Sequence, residues 1–123
     1  MYKQLGSVTI RIDSTGHHSR LWDTYAYGVT VDSSNNIYVT GETGGGLDGR
    51  IFSGGYRDIF LVKYHDNGTK QWTQQLGTSS EESGSGVTVD SSDNIYVTGS
   101  TSGGLDGNTN AGSNDIFLVK YNF

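Results

Sequence analysis

Apolar and polar positions alternate along short stretches of this chain. Val29 and Val31 flank Thr30, and Ile37 and Val39 alternate with Tyr38 and Thr40, the period-2 pattern of strands. The intervening Asp32-Ser33-Ser34-Asn35-Asn36 predicts a tight turn, because short Asp, Ser and Asn side chains bond nearby backbone and Asn tolerates positive φ. An unbroken apolar run over 59–64 predicts a third strand, covered on both faces. His65-Asp66-Asn67-Gly68-Thr69 then carries the Asn-Gly hairpin signal and leads into a fourth strand over 70–76.

The same pattern occurs twice. Residues 28–41 recur at 86–99 with one substitution, Asn35 against Asp93, and the match runs on through Gly49 and Gly107 with two more, Glu42/Ser100 and Gly44/Ser102. Residues 58–64 then recur unchanged at 115–121, one residue having been lost from the connecting loop. A repeat of this length, with units too poor in apolar residues to fold alone, marks stacked or radially arranged units. Four hairpin-linked strands per repeat predict an all-β fold of antiparallel meanders, the blades of a β-propeller, two to the chain. The expected organisation is a closing strand or partial blade over 1–27, a first blade over 28–85, and a second over 86–123 that lacks its fourth strand.

These residues resemble the bacterial beta-propeller repeat family often abbreviated SBBP. The resemblance rests on Gly-Val-Thr-Val-Asp-Ser-Ser-x-Asn-Ile-Tyr-Val-Thr-Gly at 28–41 and 86–99, on Asp-Ile-Phe-Leu-Val-Lys-Tyr at 58–64 and 115–121, and on Lys-Gln-Trp-Thr-Gln-Gln-Leu-Gly at 70–77. It covers about residues 24–123, whereas 1–23 match the pattern poorly. It implies a chain built of several such units, an exported or cell-envelope setting in bacteria, and no catalytic residues belonging to the repeat.

A propeller closes with roughly four to eight blades, so two blades alone present unpaired edges and faces. The expectation is a closed homo-oligomer, a trimer or a tetramer, formed by head-to-tail contacts. Val8, Ile10 and Ile12 alternate on one face of a predicted N-terminal strand and are the expected partners of Ile116, Leu118 and Tyr121 in the second blade. The N-terminal segment also aligns as a third strand and turn followed by a short fourth strand at Arg20-Leu21-Trp22, and both alignments stand.

Composition narrows the function. Eight Lys and Arg against thirteen Asp and Glu give a net charge of −5, which disfavours nucleic acid as a partner. The absence of Cys removes disulfides, thiolate metal sites and thiol nucleophiles. No apolar stretch approaches the ~18 residues of a membrane helix, so no membrane insertion is expected. The longer connections, over 42–57, 100–114 and 78–85, gather at one end of the blades, and long loops on a rigid scaffold are where binding residues concentrate. Asp48, Arg50, Tyr56, Arg57, Asp106, Asn108, Asn110 and Asn114 are the candidate ligand-binding residues there, for a glycan or a protein.

Catalytic and metal signals are poor. Asp106, Asn108 and Asn110 space oxygen ligands as calcium loops do, with Asp115 beyond, but Ala111 stands where the calcium loop needs Gly and no terminal Glu follows. His17-His18 and the Glu81-Glu82 pair read as polar surface, and Asp58 and Asp115 read as backbone-tying residues. Neither a nucleophile elbow nor a phosphate loop is present in context. No metal and no cofactor are expected, and the chain is expected not to be an enzyme. A self-assembling scaffold or binding module is the leading reading, with a lectin using the long-loop face as the alternative, since Trp and Tyr stack on sugar rings.

Overall fold

The computed structural model describes residues 24–44, 57–77, 82–103 and 115–122. Its strands are β1 (Thr24–Val31), β2 (Ile37–Thr43), β3 (Asp58–Tyr64), β4 (Lys70–Leu76), β5 (Glu82–Val89), β6 (Ile95–Thr101) and β7 (Asp115–Tyr121). They form a four-stranded antiparallel sheet, β1-β2-β3-β4, and a three-stranded one, β5-β6-β7. Strand order follows chain order, as a meander requires. β1 and β5 each begin four residues before the glycine that opens the repeated motif. Val8, Ile10 and Ile12, proposed to close the assembly, lie outside the described residues.

The two repeats share their irregularities as well as their strands. The β1–β2 register slips between Ala26 and Gly28, and the β5–β6 register slips between Gly84 and Gly86. The bulge drives the Tyr25 carbonyl onto Gly41 and the Ser83 carbonyl onto Gly99 so closely that a Cβ at either glycine would overlap it. Both hairpin turns of the first sheet have one form: in each, the first residue's N–H bonds the fifth residue's carbonyl, and the fourth residue has positive φ. Gly68 fills that fourth place in one turn (φ 91°), and Asn35 fills it in the other (φ 65°). The His65 ring meets the Asn36 side chain at 3.0 Å, so the two turns lie at the same end of the blade.

Cross-strand pairing sorts each sheet into two faces. One face of the first sheet carries Tyr38, Ile59, Leu61, Trp72 and Leu76, and it packs on Val87, Val89, Ile95, Val97, Phe117 and Tyr121 of the second sheet to form the main core. Trp72 lies against Tyr38 with ring centroids 6.0 Å apart. On the opposite face of the first sheet Phe60, Val62 and Tyr64 form a second buried cluster with Ile37 and Val39. β3 is thus buried on both sides, as its unbroken apolar run predicts.

Candidate functional site

Turn chemistry explains one group of polar residues completely. The Asp32 carboxylate accepts hydrogen bonds from the Ser34 and Asn36 backbone N–H groups, the Asn36 side chain and the Tyr38 hydroxyl, at 2.8–3.1 Å. Asp90 repeats this with Ser92, Asn94 and Tyr96. Burial pushes the Asp32 pKa upward, but these donors outweigh it and hold the group below the usual carboxylate value. Asp90, bonded first by Asn94, is lowered to about 2. The bond to Asp32 adds to burial in raising the Tyr38 hydroxyl.

Both carboxylates are depressed on folding, so their contribution is complete above the unfolded value of about 4 and is lost as pH falls through the folded value. Denaturant midpoints are therefore expected to drop between about pH 4 and pH 2. The Asp32→Asn/Asp90→Asn double variant should be weaker at neutral pH and should lose most of that acid slope. An unchanged slope would show that other carboxylates govern acid sensitivity.

A second contact joins these turns between blades. The Ser33 backbone N–H and hydroxyl both donate to the Asp93 carboxylate, at 3.1 and 2.6 Å. Asp93 occupies the positive-φ place of its turn (φ 62°), where Asn is the better-suited residue. Its value at that position lies in bridging to the neighbouring blade.

The long-loop end carries a different set. Tyr27 donates its hydroxyl to Glu42 at 2.5 Å, and that bond is the first cause of its raised pKa. The Arg57 guanidinium sits over the Tyr25 ring, 5.0 Å from its centre. The Thr24 and Thr43 hydroxyls meet at 3.1 Å. Tyr25 and Tyr27 are exposed beside the buried Glu42, giving aromatic rings next to hydrogen-bonding and charged groups. Of the sequence-derived ligand candidates, Arg57 belongs to this cluster. Asp48, Arg50, Tyr56, Asp106, Asn108, Asn110 and Asn114 lie outside the described residues, as do the His17-His18 pair and Glu81.

Two carboxylates at this end are structural. Asp58 is fully buried, takes a bond from the Gln75 amide at 3.3 Å, and abuts Gly77 so tightly that a Cβ there would collide with it. Glu82 corrects the expectation of polar surface. It opens β5, is fully buried, accepts the Thr101 hydroxyl at 3.0 Å, and donates its own N–H to the Arg57 carbonyl across the blade junction. A strand start wedged between sheets outweighs the polar character of its Ser/Gly surroundings. Among the described residues, no group of three or more His, Cys, Asp and Glu is placed to hold a metal ion.

The largest exposed apolar side chains fall on two faces. Ile116 and Leu118 are 89% and 69% exposed, whereas their counterparts Ile59 and Leu61 are 3% and 1% exposed inside the blade junction. Val29 and Val31 are 65% and 50% exposed, whereas their counterparts Val87 and Val89 pack against the core. Tyr121 departs from the expected closing set. Alternation along β7 turns it away from Ile116 and Leu118, into the junction core. Val29, Val31, Tyr25, Tyr27 and Glu42 were not anticipated from the sequence. The signal for the last three was the divergence of Thr-Tyr-Ala-Tyr at 24–27 from Glu-Ser-Gly-Ser at 82–85, and of Glu42 from Ser100, in otherwise near-identical repeats.

No curated protein shows significant similarity to the chain. A family match is found over residues 3–48 and 71–106. It starts earlier than the expected 24–123, taking in residues 3–23, and its second part enters through β4 before running along β5 and β6. Those matches cover most of the chain and agree with the repeated antiparallel sheets, so the chain belongs to the SBBP β-propeller repeat family.

Proposed function

We propose that this chain is a non-catalytic scaffold or binding module that associates head to tail with its own copies, three or four of them closing a propeller ring. The observation that carries this reading is the pair of free faces. The second blade exposes Ile116 and Leu118 where the first blade uses Ile59 and Leu61, and the first blade exposes Val29 and Val31 where the second uses Val87 and Val89. Each free face is one half of a junction that the chain already forms once within itself, so a second copy fits both. Full cover of one such side chain is worth about 1.5–3 kcal/mol. Closing the ring adds one more junction without a further loss of translational freedom, which favours a closed species over open stacks.

Light scattering on the 123-residue chain tests the reading. The expected mass is about 40 kDa for three copies or about 53 kDa for four, built from a 13.3 kDa chain. A folded species that stays at 13.3 kDa across micromolar concentrations would reject it. The glycan-binding alternative draws on one observation, the exposed Tyr25 and Tyr27 beside Glu42 and Arg57. Aromatic faces stack on sugar rings while carboxylate and guanidinium groups bond hydroxyls. Retention on immobilised glycans, lost in Tyr25→Ala/Tyr27→Ala, would favour it.

A further inference from the structure

We infer that Ala26 and Asn35 make the contact between copies a loosened version of the contact within one chain, so that each chain seats its own second blade before it takes a neighbour. This rests on the head-to-tail reading above and specifies the chemistry of that interface. Its warrant is the internal junction, which shows how one blade of this repeat sits on another.

Within the chain, Gly84 of the second blade lies directly on the first. A Cβ there would come within 2.9 Å of the Gly41 carbonyl oxygen and 3.0 Å of both Ile59 Cγ2 and Thr40 Oγ1. Contact that close to a backbone oxygen leaves no room for a methyl group. When a neighbouring copy docks in the same manner, the incoming blade is a first blade. The register places Ala26 opposite Gly41 as Gly84 stands opposite Gly99, so Ala26 takes the place of Gly84. The receiving groups become Gly99, Ile116 and Thr98. The Ala26 methyl then forces the sheets apart at this point.

The turn end changes in the same direction. Within the chain Ser33 gives two hydrogen bonds to the Asp93 carboxylate. Between copies the matching pair is Ser91 and Asn35. An amide has one acceptor oxygen where a carboxylate has two, and its NH2 group turns donors toward the Ser91 donors. The charge assistance also disappears, and such bonds are roughly twice as strong as neutral ones. Asn35 is one of only three differences between residues 28–49 and 86–107, and it falls on the residue that bridges blades. Two independent positions on one face therefore weaken the same contact.

Unequal junctions solve a problem of order. The first blade's receiving face fits either its own second blade or another chain's first blade. Gly84 and Asp93 make the former the better occupant, as specificity by difference requires. The turn tolerates the exchange at position 35, since Asp93 already holds φ 62° in the same turn.

The test uses the full chain carrying Ala26→Gly, Asn35→Asp or both, with mass followed by sedimentation over a concentration series. The double variant should assemble at about tenfold or more lower concentration than the parent, and Asn35→Asp alone by a smaller factor. Circular dichroism below the assembly range checks that Ala26→Gly keeps its strands, and Asn35→Asp carries the test alone if it does not. A parent that assembles while Asn35→Asp and the double variant leave the midpoint unmoved overturns the inference and spares the head-to-tail reading. If parent and double variant both stay monomeric and folded, the head-to-tail reading itself is rejected.

Discussion

Phe60→Ala is expected to cost about 3–5 kcal/mol of stability, and Phe117→Ala only about 1–2 kcal/mol. The two phenylalanines stand at the same place in identical seven-residue strands. Phe60 is fully buried among Val62, Tyr64, Ile37 and Val39, so truncation removes apolar contact and leaves a cavity in a sheet that is covered on both faces. Phe117 is half-buried, laid over Gly99 at the margin of the blade junction, where solvent and neighbours can fill part of the gap. Against a typical domain stability of about 5–15 kcal/mol, the first loss brings the chain near unfolding and the second does not. Urea denaturation at low protein concentration, where single chains dominate, measures both. Equal losses would show that the two third strands share one environment.

That pair of residues also marks how far the sequence is readable. Local features came through because they depend on neighbours a few residues away. The alternation of Val29, Val31, Ile37 and Val39 and the Asp32 turn set the first hairpin, and the 70–76 strand coincides with the observed β4. The Asp-Ile-Phe-Leu-Val-Lys-Tyr strand was legible as buried, and in β3 it is, but in β7 the same seven residues alternate between half-buried and exposed. Burial depends on which sheet lies opposite, and a local pattern does not carry that. Glu82 was misread for the same reason, since its fate is decided by Thr101 and the Arg57 carbonyl rather than by the Ser and Gly around it. Tyr121 was grouped with Ile116 and Leu118 by its nearness in sequence, although the odd spacing puts it on the other face. What was legible but unused was the disagreement between repeats. Positions that differ in nearly identical units, at 24–27, 35 and 42, are those where the two blades meet different surroundings.

Ile116→Asp and Ile59→Asp separate the fold from its assembly. The substitutions are chemically the same, at equivalent positions of β7 and β3. Ile59 is 3% exposed between Leu61, Ile95 and Val97, so a carboxylate there is desolvated without a partner while apolar packing is lost. The combined effect exceeds about 4 kcal/mol and should leave the chain unfolded or aggregated. Ile116 is 89% exposed, so its carboxylate stays in water and a single chain should keep its near-ultraviolet circular dichroism and melting temperature. Association is another matter, because docking a first blade onto β7 would bury that charge against apolar Val29 and Val31 and cost several kcal/mol per junction. Leu118→Asp should behave alike. The expected result is a folded monomer for both β7 variants and no folded species for Ile59→Asp. Loss of fold in Ile116→Asp would mean that the β7 face is needed within a single chain, whereas full-size assemblies in both β7 variants would move the closing contact away from the blade faces.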